Sequence, residues 1–129
     1  PATAVACALR LDLFPARITR RVRDVVAHRR PVWVVDVAEG VAGRRVAVVD
    51  EMADTGETLA LVAARARERG AASVVTASLV SHSWASPAPD ATALVTDALV
   101  IFPWDRLVYA DGAWGPHPEM VAALAQQQR

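Results

Sequence analysis

The stretch RVAVVDEMADTGETL, residues 45–59, decides how this chain folds. Four apolar residues, Val46, Ala47, Val48 and Val49, suit a strand buried on both faces, as strands of parallel sheets are. Such a strand delivers Asp50 and Glu51 at its carboxyl end, where open α/β sheets bind ligands. Thr55, Gly56 and Thr58 then offer hydroxyls and backbone N–H groups at the start of a helix expected to begin near Thr58. Helix N-termini favour anions. Carboxylates beside a phosphate would repel it unless a cation or sugar hydroxyls lay between, so the pattern points to a phosphorylated sugar with Mg2+. The plainer reading of residues 50–58 is a capped βα turn with Asp54 or Thr55 as the N-cap.

Working outward, residues 4–9 read as a first strand and residues 15–27 as a helix with Pro15 in its first turn. Residues 32–37 read as the next strand and 39–43 as a turn. An Ala-rich helix over residues 58–69 is stopped by Gly70, as left-handed caps prefer. Residues 73–80 form another apolar strand. Pro87 and Pro89 make residues 83–90 a loop, since proline fits neither helix interiors nor central strands. Short strands are expected at 93–95 and 99–102, a turn-rich tail at 111–118, and a last helix at 119–127. Alternating strands and helices imply an α/β fold with a parallel sheet.

The chain has 129 residues, 53% of them hydrophobic and 22% charged, with a formal net charge of zero, which predicts one domain over residues 1–129. No apolar run approaches the roughly 20 residues that cross a bilayer, and there is no basic region followed by an apolar signal segment, so a cytoplasmic location and no membrane partner are expected. The single Cys7 excludes an internal disulfide and a cysteine-cluster metal site. Balanced charge leaves no footprint for nucleic acid. All 14 basic residues are arginine, so any charge contact must come from a planar fork rather than an ammonium.

The run VAVVDEMADTG, residues 46–56, resembles the phosphoribosyl-pyrophosphate (PRPP) motif of type I phosphoribosyltransferases. VIFPWDR, residues 100–106, is similar to a segment of the xanthine, guanine and hypoxanthine branch of that family. The resemblance implies a parallel sheet flanked by helices with a small C-terminal hood, roughly residues 83–129. It implies a PRPP site over Asp50, Glu51, Met52, Ala53, Asp54, Thr55, Gly56, Glu57 and Thr58, with Asp54 as the catalytic base. Asp50 and Glu51 would hold the ribose and Mg2+, with Asp105 as a further metal candidate. A purine base and a homodimer are also implied. The alternative is a PRPP- or nucleotide-binding regulatory module that lacks the chemistry.

Three departures from the family touch chemistry. Where relatives carry a glycine-rich pyrophosphate loop, the chain has Arg10, Leu11 and Asp12; Leu11 resists that shape and Asp12 repels pyrophosphate unless it binds Mg2+. The stretch between the expected first helix and residue 45 is shorter than the relatives' closing loop, leaving Arg29, Arg30, Arg44 and Arg45 as phosphate candidates. In the base pocket, the positions of the relatives' lysine and stacking aromatic fall on His82 and Leu99, with Trp84, Phe102 or Trp104 as alternative stacking partners.

Overall fold

The structure is a computed structural model that describes residues 1–22 and 25–127. The chain divides into two compact units, residues 1–97 and residues 98–129. In the first, a helix α1 (Ala2–Leu9) precedes three short strands, β1 (Arg17–Thr19), β2 (Arg21–Val22) and β3 (Val25–Val26), and then β4 (Val32–Val35). A 3-10 turn at Glu39–Val41 leads to β5 (Arg45–Ala53), α2 (Glu57–Glu68), β6 (Ser73–Ser81) and β7 (Ala91–Val95). Strands β5, β6 and β7 form a parallel sheet in that order, with Arg45 opposite Ser73, Ala53 opposite Ser81, and Ser81 opposite Val95. Helix α2 packs on β5 and β6, so the fold is the expected α/β layer.

The ladder register explains where the polar groups collect. β5 and β6 end side by side, so the segments that follow them emerge at the same edge of the sheet. β5 itself is mostly half-buried rather than buried on both faces, because it pairs only with β6 among the described strands. Its apolar residues Val46 to Val49 line a cavity of about 620 Å³ together with Val5, Phe14, Val62 and others. The core proper is Val37, Val41 and Ala66, against which Phe14, Trp33, Val46, Val62, Ala71 and Val74 pack.

The N-terminal elements differ from the expectation. Residues 4–9 are helix, not strand: the eight-residue run ATAVACAL is alanine-rich, and alanine is the strongest helix former. Arg10 closes α1 in the left-handed region (φ 57°), with Leu11 N–H bonded to the Ala6 carbonyl at 2.9 Å. The expected helix over residues 15–27 is replaced by β1, β2 and β3; its portion at 23–24 lies outside the described residues. β-Branched Ile18, Thr19 and Val22 favour extended backbone. β1 pairs antiparallel with β4, Ile18 opposite Trp33, and β2 with β3. The first helix ends at Leu9, so residues 10–44 separate it from β5.

Two ties hold α2 and the sheet. Asp36, just past β4, accepts bonds from Arg65 Nε at 2.9 Å and Nη2 at 2.6 Å, and from Arg69 Nη2 at 2.6 Å. Asp90 accepts from Thr76 N–H at 2.7 Å and Oγ1 at 2.9 Å, fixing the start of β7 beside β6.

In the second unit, β8 (Leu107–Ala110) and β9 (Ala113–Pro116) form a hairpin, followed by α3 (Pro118–Gln127). Asp111 (φ 51°) and Gly112 (φ 80°) make its two-residue turn, with both backbones left-handed as a type I′ turn requires. Residues 113–116, read as turn-rich tail, are therefore strand, and Tyr109 meets Trp114 edge-on across the pair, centroids 5.4 Å apart. Residues 99–102, expected as a strand, join no ladder and run into a 3-10 turn at Pro103–Asp105.

Arg65, then Arg69, hold the Asp36 carboxyl well below the usual carboxylate range. A lowered folded-state pKa gives stability that is full above the ordinary value of 3.8 and fades as pH falls below it. Asp36→Asn is expected to lower the thermal midpoint at pH 7, and the difference from wild type should close on acidification. An equal deficit at pH 7 and in strong acid contradicts the assignment.

Candidate functional site

At the carboxyl end of β5, Asp50, Met52, Ala53, Asp54, Thr55, Gly56, Thr58 and Leu59 line a recess of about 100 Å³. That is several times the roughly 30 Å³ share of one water, and suits a phosphate group. The strand continues through Met52 and Ala53, so the loop proper is Asp54, Thr55 and Gly56, and α2 begins at Glu57. Gly56, left-handed at φ 82°, is the N-cap, and no side-chain cap satisfies the first amides of α2. Thr55 Oγ1 accepts only a long 3.4 Å bond from Glu57 N–H. Uncapped amides at a helix N-terminus are donors held ready for an anion.

Strand geometry separates the two motif acids. Successive side chains of a strand point to opposite faces. Asp50 and Met52 line the recess, and Glu51 does not. Asp50 Oδ1 accepts the Glu51 N–H at 2.8 Å. Among the described residues no three His, Cys, Asp or Glu side chains cluster as a cage for a cation. Mg2+ is commonly held by one or two carboxylates with substrate oxygens and water, and Asp50 fits that role. Asp105 lies in the 3-10 turn of the second unit.

Residues 82–90 lie on the loop. His82 N–H donates to the Ala53 carbonyl at 3.1 Å, and Ser86 N–H to the Thr55 carbonyl at 2.9 Å. The Ser86–Pro87 peptide is cis, and the Pro87 carbonyl oxygen lies 2.1 Å from where a Gly56 Cβ would stand. Trp84 Nε1 donates to Asp54 Oδ1 at 3.1 Å, and its ring stacks on His82 with centroids 4.2 Å apart. His82 Nδ1 lies 2.7 Å from the Thr96 carbonyl. A carbonyl can only accept, so the Nδ1 nitrogen of His82 is the one that donates to it.

Arg20 was missed. Among the described residues it is the one basic side chain lining the recess. A helical reading of residues 15–27 gave no reason to bring it there; the irregular position between β1 and β2 does. Of the remaining candidates, Leu11 and Asp12 line the 620 Å³ cavity, whose lining also includes Asp50 and Thr58. Asp12 is ion-paired with Arg44, which stands 5.5 Å from the Phe14 ring centroid. Arg10 caps α1, and Arg29 and Arg30 are exposed. Leu99, Phe102 and Trp104 belong to the second unit, where Phe102 and Trp104 stack in parallel at 5.1 Å; Phe102 is buried, Leu99 and Trp104 are exposed.

An α/β sheet ending in an uncapped helix N-terminus, with an acid-rich loop, agrees with the sequence comparison. Residues 1–109 match the family described as phosphoribosyl transferase domain. The chain belongs to that family. Its class of chemistry is phosphoribosyl transfer, and it is an enzyme of that class. A purine phosphoribosyltransferase from Pyrococcus horikoshii is similar in structure, with TM-score 0.73 and 25% identity over 86% of this chain and 73% of that one. A variant of Trypanosoma cruzi hypoxanthine phosphoribosyltransferase complexed with the product IMP shares the fold, with TM-score 0.58 and 15% identity over 95% and 69% of the two chains. No curated protein matches the chain. Among the described residues, no helix is long and apolar enough to cross a membrane.

In this phosphoribosyltransferase, Gly56 is required on two counts, its left-handed backbone and the Pro87 carbonyl above it. Gly56→Ala should destabilise the fold by at least the roughly 1–2 kcal/mol of a left-handed non-glycine residue. A thermal midpoint equal to wild type contradicts the close approach.

Proposed function

We propose that this phosphoribosyltransferase joins a purine base to PRPP, releasing pyrophosphate and giving the nucleoside 5′-monophosphate. The observation that carries the reading is the recess beneath the uncapped N-terminus of α2, flanked by Asp50 and Asp54 and approached by Arg20. The 5-phosphate lies on the amides of residues 55–58, with Arg20 supplying the positive charge that the two acids make necessary. Asp50 orients the ribose hydroxyls and holds Mg2+, with Glu51 beside it in the motif. When bound with PRPP, Mg2+ neutralises charge on the pyrophosphate.

The purine N9 lone pair forms a bond to ribose C1 as the bond from C1 to the pyrophosphate oxygen breaks, and the bonding pair leaves with pyrophosphate. Asp54 accepts the proton released from purine N7. The choice of a purine is supported by the likeness to the Pyrococcus enzyme and by VIFPWDR. A cytoplasmic homodimer completes the reading.

Calorimetric titration with PRPP, with and without Mg2+, followed by hypoxanthine, guanine and xanthine, tests it. Metal-dependent binding with pyrophosphate release is expected; binding without release assigns the chain to a regulatory module instead. Asp54→Asn should lower kcat roughly 100-fold or more with little change in PRPP affinity, as loss of a general base does. Arg20→Ala should weaken PRPP binding by about 10- to 100-fold, the value of a charge-assisted hydrogen bond, and leave the KM for the base unchanged. Unaltered PRPP affinity in that variant removes Arg20 from the site.

A further inference from the structure

Trp84 is more than half exposed (54%) yet held at both ends of its ring system. It sits in the turn that follows β6, closed by the Ala85 N–H on the His82 carbonyl at 3.1 Å. Its face stacks on the His82 imidazole with the planes 22° apart, and its N–H reaches Asp54 Oδ1 at 3.1 Å. The support under it is also fixed. The His82 ring is tied to the Thr96 carbonyl, and Ser83 donates both N–H and Oγ–H to Asp97, each at 2.8 Å. Those two donors keep the Asp97 carboxyl below the usual carboxylate range, so this tie is ionised at neutral pH. A continuous set of contacts thus runs from the end of β7, over β6, to the acid that follows β5.

The chemistry of the indole makes this arrangement useful for one task. Indole N–H is a donor only. It can fix a carboxylate oxygen but cannot compete for a proton that the carboxylate receives. Asp54 Oδ2 has no hydrogen-bond partner among the described residues. An exposed aspartate in a three-residue loop samples several rotamers, and holding one oxygen removes most of that freedom before substrate arrives.

We propose that Trp84 is a positioning residue for phosphoribosyl transfer, its indole N–H holding Asp54 Oδ1 so that Oδ2 takes the proton from the base. The inference rests on the reading of Asp54 as proton acceptor given above. His82 serves the same end as the platform for the indole.

The test compares Trp84→Phe, which keeps a stacking ring and removes the donor, with Trp84→His, which returns an N–H. Trp84→Phe should lower kcat about tenfold, the scale of one hydrogen bond to a charged group, with KM for PRPP and the thermal midpoint unchanged. Trp84→His should recover part of that loss, and combining Trp84→Phe with Asp54→Asn should cost no more than Asp54→Asn alone. Wild-type kcat in Trp84→Phe overturns the proposal, as does a matching fall in affinity and stability, which marks a packing role. A wild-type chain inactive with every base defeats the proposed reaction. In that case the indole N–H resonance of Trp84, assigned by its loss in Trp84→Phe, separates the two failures: a shift unmoved by Asp54→Asn shows that the contact itself is wrong.

Discussion

The absence of a side chain at Gly56 is the constraint on which the site depends. Its left-handed backbone turns the chain from β5 into α2 within three residues, which leaves the first amides of the helix facing the recess. Its bare Cα also lets the Pro87 carbonyl descend to where a Cβ would stand. With that approach the whole segment after β6 settles onto the loop, and Trp84 arrives at Asp54. Any side chain at position 56 would separate the two segments, and the shape of the recess and the Trp84–Asp54 bond would be lost together.

Around this point the fold uses carboxylates as fasteners. Asp36 gathers Arg65 of α2 and Arg69 just past its end, Asp90 grips Thr76 of β6, and Asp97 grips Ser83. The last two each span fourteen residues and bracket the segment 83–90 from both sides. Each pairs a carboxylate with an N–H and a hydroxyl of a single residue, a local and geometrically narrow contact. A loop with two prolines and no secondary structure of its own is thereby given a defined course over the end of the sheet.

What could be read from the sequence follows from how far apart the deciding contacts lie. β5, α2, β6 and the final helix were legible because periodicity, Gly70 and the proline loop act locally. The run at 4–9 was misread because a short apolar segment has no period to separate strand from helix, and the alanine content should have decided it. Residues 15–27 went wrong because their pairing with β4 is set by register with residues 32–35, invisible to a helix pattern. The Asp111–Gly112 turn was a clear local signal for the β8–β9 hairpin that went unused. In the site, the loop residues were legible as one contiguous stretch. Arg20 and the Trp84–Asp54 contact were not, since each joins positions thirty or more residues apart through the sheet and its connections.

The recess also shows why the position of Arg20 matters more than its charge alone. Asp50 and Asp54 both line it, so its walls are negative before any ligand arrives. The helix dipole of α2 offsets part of this, at the level of roughly half an elementary charge. A phosphate brings further negative charge, and a chain without lysine has only arginine to answer it. Arg20 comes from a part of the chain distinct from the β5–α2 loop. The acids and amides are therefore set by the rigid sheet, whereas the counter-charge is set by where the β1–β2 segment lies. On the proposed reading, affinity for a sugar phosphate then depends on two segments of the first unit meeting at one recess, and a change that shifts the β1–β2 segment weakens binding without touching the motif.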